Sequence, residues 1–235
     1  MIFINPPFSN YLSFDKSISI KGSYTLYPRD GLILQVLKTL RYSFEYGGWV
    51  NKIGLRNPGL DYAIKNAKNS KHSIESIISI AILNKKEIPE ILKKIPEDMN
   101  IELNISCPNA EKKMVSEGLE NFINNKRKWC IIKLSPTADI KLVDNYYKLG
   151  FRQFHCCNTL PVKEGGLSGK SLIPYSTNLI KNIKDKYKDT EIIGGGGITS
   201  YNEIEIYKKA GADHYSISTL FFNPLRFYLF YKEFL

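Results

Sequence analysis

Residues 129–158 read W-C-I-I-K-L-S-P-T-A-D-I-K-L-V-D-N-Y-Y-K-L-G-F-R-Q-F-H-C-C-N. Trp129–Ser135 is a short apolar run with one charge, Lys133, and Pro136 ends it, since proline cannot donate to a ladder. Ile140–Leu149 carries apolar residues at helical spacing and stops at Gly150. Gln153–Asn158 is apolar and extended again. Strand, helix, strand over thirty residues is one parallel unit with a helical crossover.

The same rhythm extends both ways. Upstream lie a buried strand at Ser76–Leu83, a helix at Ile88–Ile95 opened by Pro89, a strand at Ile101–Ser106 and a helix at Gly118–Asn125. Downstream come a Gly-rich loop at 160–173, a helix at Tyr175–Tyr187 and a strand at Glu191–Gly194 leading into Gly194–Gly197. Ser200 and Glu203, at capping-box spacing, start a helix to Lys209. A strand at His214–Ser218 and a closing helix at Pro224–Phe234 follow. The first third is less regular: Ile2–Ile4 as a short strand stopped by Asn5-Pro6-Pro7, a strand at Ser17–Thr25, helical spacing over Leu32–Tyr42, an extended Trp49–Leu55 and a short helix at Leu60–Lys68. Seven strands are clear, and an N-terminal strand completes an eight-stranded α/β barrel of TIM type, its first βα unit shortened. An open doubly wound sheet is the alternative. Against it, polar residues stand at the ends of many successive strands: Ser23, Cys107, Lys133, Asn158, Gly196 and Thr219. A barrel brings all strand ends to one mouth, whereas an open sheet has one crevice. The expected organisation is a single barrel domain over 1–235, with 1–16 atypical.

The 235 residues are 43% hydrophobic, ample for a full core, and carry 33 basic and 23 acidic side chains, a net charge of +10. No block of five like charges occurs, so solvated helix faces account for the lysines and no nucleic-acid partner is expected. Cys107, Cys130, Cys156 and Cys157 form no C-x-x-C, which argues against a disulfide framework or a zinc site and for a reducing compartment. No secretory signal is visible and no apolar run approaches the ~20 residues of a membrane span. A cytoplasmic protein is expected.

Three features carry chemistry. In I-E-L-N-I-S-C-P-N-A (Ile101–Ala110) a strand ends on a thiol, Cys107, flanked by the carboxamides of Asn104 and Asn109. A thiol whose pKa is lowered is a base or nucleophile, and amides suit a neutral, amide-rich ring; a buried cysteine before a Pro-Asn turn reads alike. Gly194–Gly197 before a capped helix suits an anion, because backbone N–H groups can approach where no Cβ intervenes. It lies where barrels bind phosphate, after the last two strands, although a ligand-free tight turn has the same composition. Thr199 replaces the third glycine of G-x-G-x-x-G, which disfavours a dinucleotide fold. Lys133 in an apolar strand either snorkels to solvent or faces an anionic group at the mouth.

Eight segments, in order over about residues 18–225, resemble the dihydroorotate dehydrogenase family of flavin-dependent barrels: T-L-Y-P-R-D-G (Thr25–Gly31), N-K-I-G-L-R-N-P-G (Asn51–Gly59), L-N-I-S-C-P-N (Leu103–Asn109), I-I-K-L-S-P (Ile131–Pro136), C-N-T (Cys157–Thr159), G-G-L-S-G (Gly165–Gly169), I-G-G-G-G-I (Ile193–Ile198) and Ser218-Thr219. The resemblance implies oxidation of dihydroorotate to orotate in pyrimidine biosynthesis, with FMN as cofactor and no metal. Cys107 would be the base taking the C5 proton, as in the soluble class, while hydride passes from C6 to FMN. Asn51, Asn104, Asn109 and Asn158 would hold the substrate, with backbone at Gly54 and Leu55 and with Thr159 beside them. Lys133 would face the flavin ring edge; Gly169, Gly196, Gly197, Ser218 and Thr219 would bind the ribityl chain and phosphate; Gly22, Ser23 and Asn104 also fall on the cofactor side. The soluble class tends to dimerise, so a homodimer is an expected assembly.

The chain departs from the family at three points. Its Ala/Gly-rich first strand is not recognisable in 1–16. Gly22 stands where the soluble class has an active-site lysine, and Lys21, one step earlier, points to the other face; Gly22-Ser23 instead resembles the membrane-bound class. Ser218 replaces a usual glycine. Two other readings compete: a flavin reductase of another dihydropyrimidine, including the tRNA dihydrouridine synthase type, and a non-catalytic barrel derived from the family.

Overall fold

The structure is a computed structural model and describes residues 1–69, 76–105 and 117–234. Along the chain its strands are β1 (Ile2–Ile4), β2 (Ser17–Tyr24), β3 (Arg41–Ser43), β4 (Gly48–Asn51), β5 (Ser76–Ala81), β6 (Ile101–Asn104), β7 (Cys130–Leu134), β8 (Gln153–Cys156), β9 (Leu160–Val162), β10 (Gly165–Ser168), β11 (Glu191–Gly195) and β12 (His214–Ile217). Eight of them close a parallel barrel in the order β1-β12-β11-β8-β7-β6-β5-β2. The eighth strand is the N-terminal one. Ile2–Ile4 pair in register with Tyr215–Ile217 on one side and Ser17–Ser19 on the other.

Helices α1 (Leu32–Thr39), α2 (Leu60–Asn69), α3 (Ile88–Lys94), α4 (Ile140–Lys148), α5 (Ile173–Lys186), α6 (Tyr201–Ala210) and α7 (Pro224–Phe234) complete the regular structure. The α5 helix shows why these segments fold as they do. Pro174 occupies its first turn, and Ser176, Leu179, Ile180 and Ile183 recur at helical spacing to make one buried face. The strand that such helices cover is buried on both sides: every residue of β5, S-I-I-S-I-A, is buried.

Three expectations need correction. Gly118–Asn125 holds only a 3-10 turn, Leu119–Phe122, because Gly118 enters it in a left-handed conformation and Ile123 leaves it extended. The loop at 160–173 contains the hairpin β9–β10, which pairs through β10 with β4 to make a second sheet, β3-β4-β10-β9. Here glycine permits close approach: a Cβ on Gly165 would lie 2.2 Å from the Asn51 carbonyl oxygen. The helical pattern at Leu32–Tyr42 ends at Thr39, and its apolar side chains do not face the barrel. None is buried, and Ile33, Leu34 and Leu37 are well exposed, because α1 rests beside β4. Residues 1–16 contain the barrel's N-terminal strand, as expected.

Inside the barrel an apolar cluster of Phe3, Ile20, Ile77, Trp129, Ile131 and Ile193 fills one level. Two residues further along β5, β7 and β11 stand Ser79, Lys133 and Gly195, facing the same side as Ile77, Ile131 and Ile193. The interior therefore changes from hydrocarbon to polar groups toward the C-terminal ends of the strands.

Candidate active site at the C-terminal mouth of the barrel

A cavity of about 520 Å³, open solvent at its mouth included, lies at those strand ends. It is of the size that holds a small-molecule ligand. Eight residues singled out from the sequence line it: Lys133, Asn158, Thr159, Gly169, Gly196, Gly197, Ser218 and Thr219. Asn104 is one hydrogen bond away, its Oδ1 accepting from Asn158 Nδ2 at 3.1 Å. Asn104 Nδ2 in turn donates to Ser23 Oγ at 2.9 Å, and Ser23 meets Ser79 Oγ at 2.9 Å. These amides and hydroxyls, far apart along the chain, form one connected network.

Gly22, Asn51, Gly54 and Leu55 are not in the cavity wall. Gly22 N–H donates to Asn10 Oδ1, and a Cβ there would lie 2.6 Å from the Ser79 carbonyl oxygen, so no side chain, lysine included, fits at this position. Asn51 sits on β4 opposite Gly166. Beyond it Leu55, at φ 57°, is the one described non-glycine residue with positive φ. Cys107 and Asn109 lie outside the described residues.

Lys133 does not snorkel. Its Nζ is buried 3.3 Å from Glu102 Oε1, and the other carboxylate oxygen is 2.5 Å from His155 Nδ1. Glu102 and His155 are fully buried. Burial alone would push the Glu102 carboxyl up, but Lys133, His155 and Ser79 outweigh it and hold it down at about 2. Burial pulls the His155 imidazole below its usual range, Lys133 adds to that, and Glu102 only partly opposes it. The sign of the consequence follows. Below the ordinary histidine value of 6.5 the unfolded chain takes up a proton that the folded chain refuses, so stability falls as pH falls. Glu102 adds a second loss, its stabilisation being complete above 4.5 and disappearing toward about 2. The urea midpoint is expected to drop between about pH 7 and pH 5, and His155→Gln should flatten that first drop while leaving the more acid one.

The glycine quartet turns at the end of β11. Gly196 and Gly197 have φ of 104° and 78°, and a Cβ on Gly197 would lie 2.5 Å from Lys170 Cα. Tyr207 Oη, 2.7 Å from the carbonyl oxygens of both Gly195 and Gly196, ties the turn to α6. The helix N-terminus itself is not open to an anion. Glu203 occupies it, accepting from Thr199 N–H at 3.2 Å and from the Ser200 hydroxyl at 2.7 Å, while Lys170 Nζ lies 2.6 Å away. The expected capping box is not formed: the Ser200 hydroxyl donates to Glu203 and caps no backbone N–H. Burial would raise the Glu203 carboxyl, but Lys170, Ser200 and Thr199 hold it at about 2. Glu203 thus pins the segment after Gly197 to the segment after Gly169. Ser218, in place of the family's glycine, donates its hydroxyl to the Pro6 carbonyl at 2.9 Å and joins the exits of β12 and β1.

Sequence reasoning missed Glu102, His155, Asn5 and Asn57. Asn5 lines the cavity, and its buried Oδ1 has no hydrogen-bond partner among the described residues. Glu102 was detectable as a carboxylate in the strand I-E-L-N beside a strand carrying Lys133. His155 was hidden in an apolar run, and Asn57 between an extended stretch and a short helix.

The family model described as dihydroorotate dehydrogenase matches residues 8–227. The catalytic subunit of dihydroorotate dehydrogenase B (NAD(+)) from Petrotoga mobilis is 31% identical, over 92% of this chain and 81% of that one. A protein named putative dihydroorotate dehydrogenase A (fumarate) from Aquifex aeolicus is 27% identical, over 76% of this chain and 69% of that one. Among solved structures, dihydroorotate dehydrogenase of Eimeria tenella in complex with ferulenol superposes with a TM-score of 0.69, covering 89% of this chain and 71% of the other at 16% identity, and so shares the fold. The match runs almost from end to end and takes in all eight cavity residues singled out from the sequence, and on it the chain belongs to the dihydroorotate dehydrogenase family, whose enzymes are FMN-dependent.

Proposed function

We propose that the protein oxidises dihydroorotate to orotate, with FMN bound in the cavity at the barrel mouth. The observation that carries this reading is the convergence of Lys133, Asn158, Gly196, Gly197 and Thr219 on one cavity, from the ends of four different strands. The residues fit FMN. At Gly197 a Cβ would collide with backbone, so the chain keeps an anion-tolerant turn free of side chains. Lys133 supplies a cation, and Asn5 keeps a buried amide oxygen that no described residue satisfies.

In this reading Gly169, Gly196, Gly197, Ser218 and Thr219 hold the ribityl chain and phosphate, the last two through backbone, since the Ser218 hydroxyl is engaged with Pro6. Lys133 faces the ring edge. Asn104, Asn158 and Thr159 bind the substrate, together with Asn51, Gly54, Leu55 and Asn109. Gly22 and Ser23 support the cofactor side from below, Ser23 through its bond to Asn104. When bound, FMN would supply the acceptor for the hydride leaving C6. Cys107 takes the C5 proton. Cys107 stands three positions after Asn104 in the sequence, at most about 11 Å of extended chain. The unbridged thiols of Cys130, Cys156 and Cys157 support a reducing, cytoplasmic setting. No helix among the described residues is long and apolar enough to cross a membrane. A homodimer belongs to the same reading on the family's tendency, and solution mass tests it.

The direct test is an anaerobic absorbance spectrum of the purified, FMN-loaded protein. Dihydroorotate should bleach the flavin band. A protein that cannot be loaded with FMN, or whose flavin stays oxidised with substrate, overturns the proposal. A narrower expectation concerns the turn. Glu203→Ala should weaken FMN binding on the order of tenfold, ~1.4 kcal/mol, because the segment after Gly197 loses its tie to Lys170; fluorescence titration of apoprotein with FMN measures it.

A further inference from the structure

Below the cavity floor lies a charge arrangement that the reaction, as read above, does not use. Glu102 is fully buried in β6. An isolated carboxylate there would cost several kcal/mol, so it needs partners. It has three: Ser79 Oγ donates to Oε1 at 2.7 Å, Lys133 Nζ lies 3.3 Å from the same oxygen, and His155 Nδ1 lies 2.5 Å from Oε2. A carboxylate only accepts, so Nδ1 carries the imidazole proton and Nε2 is bare. Onto Nε2 converge Ser216 Oγ at 2.8 Å and Asn5 Nδ2 at 3.4 Å, both able to donate. Ser216, Asn5 and Lys133 all line the cavity. The chain of contacts thus leaves one wall at Lys133, crosses the barrel through a carboxylate and an imidazole, and returns to another wall at Ser216 and Asn5.

The electrostatic effect follows from the arrangement. A lone lysine beside the flavin would favour the reduced, negatively charged ring over the oxidised, neutral one. A carboxylate 3.3 Å from that lysine turns a point charge into a dipole, whose field falls off faster with distance. A neutral His155 adds no charge of its own. Turnover needs this restraint, because electrons accepted from the substrate must leave again to the next acceptor.

We propose that Glu102, held by His155 and Ser79, is a positioning residue that offsets the Lys133 charge and so sets how strongly the site favours reduced over oxidised FMN. The inference rests on the FMN reading of the cavity. It assigns a role to two residues, Glu102 and His155, that touch neither substrate nor cofactor in that reading.

The test is a spectroelectrochemical titration of the FMN-loaded protein, which reads a midpoint potential rather than turnover. Lys133→Met should shift the potential negative. Glu102→Gln should shift it positive, by tenfold or more in relative affinity for reduced over oxidised flavin, about 30 mV for a two-electron couple. A merely structural role would lower stability and leave the potential where it was. Should Glu102→Gln fail to fold, the double variant Glu102→Gln/Lys133→Met, which buries no unpaired charge, must lie positive of Lys133→Met alone. If the Glu102 substitution moves the potential in neither background while Lys133→Met does, the inference is wrong and the site reading stands. If Lys133→Met also leaves the potential unchanged, Lys133 is not beside the flavin, and the site reading falls with the inference.

Discussion

Cys107→Ala is expected to bind FMN normally and to reduce it with dihydroorotate about 10²- to 10⁴-fold more slowly, the usual contribution of a general base. The choice of thiol is not arbitrary. Burial pushes the Cys130 and Cys157 thiols up to about 12, with only minor opposition from Arg127 at the first and from Ser176 and Lys133 at the second, and burial, with Cys157 beside it, raises Cys156 well above its ordinary value. All three stay protonated at neutral pH and cannot take a proton, even though Cys157 lines the cavity. The proposed base, Cys107, is the fourth cysteine of the chain. Cys157→Ala is therefore the matched control and should leave the rate within a few-fold. Anaerobic stopped-flow reduction of the bound flavin measures both. Rapid reduction by Cys107→Ala would show that the proton goes elsewhere.

Asn57→Leu should cost about 3 kcal/mol of stability, near the top of the range for a single substitution. Asn57 uses its whole amide: Oδ1 accepts from Thr25 N–H at 3.1 Å and Gly59 N–H at 2.8 Å, while Nδ2 donates to Thr25 Oγ1 at 2.9 Å and to the Leu55 carbonyl at 2.7 Å. Its backbone pairs with Arg29 in both directions. Leucine fills similar space but leaves two N–H donors and two oxygen acceptors without these partners. The loop it secures includes Leu55, whose positive φ is unfavourable for a leucine and persists only while its surroundings impose it. Since Gly54 and Leu55 are proposed to contact the substrate, the same variant should raise KM for dihydroorotate more than it lowers kcat. A urea midpoint equal to that of the native protein would contradict the stability claim. An unchanged KM would separate the loop from substrate binding.

The parallel barrel was legible because strands and helices alternate with different periods, and a period survives whatever the tertiary context. The cavity residues were legible because they break those patterns: a lysine among isoleucines at 133, an asparagine closing a strand at 158, four glycines at 194–197. What escaped was set by partners distant in sequence. Ile2–Ile4 was legible as a short strand, but its barrel neighbours, Tyr215–Ile217 and Ser17–Ser19, were not. The hairpin β9–β10 has too few side chains to show an alternation, and its stability comes from pairing with β4. The Leu32–Tyr42 pattern gave the helix and left its burial open, since periodicity reports that a face is apolar and not what covers it. Glu102 and His155 are unremarkable singly and acquire meaning only across the barrel from each other.

The ring is shut by its first strand bonding to its last, with Tyr215 N–H donating to the Met1 carbonyl and Asn5 N–H to that of Ile217. During translation those partners emerge far apart in time, separated by most of the barrel. Until residues 214–217 leave the ribosome, the growing polypeptide can form only an open sheet with two unsatisfied edges, the kind of surface that invites mispairing. Closure waits on a contact spanning nearly the whole sequence, so maturation should be slow and sensitive to chaperone supply, however quickly the central units form.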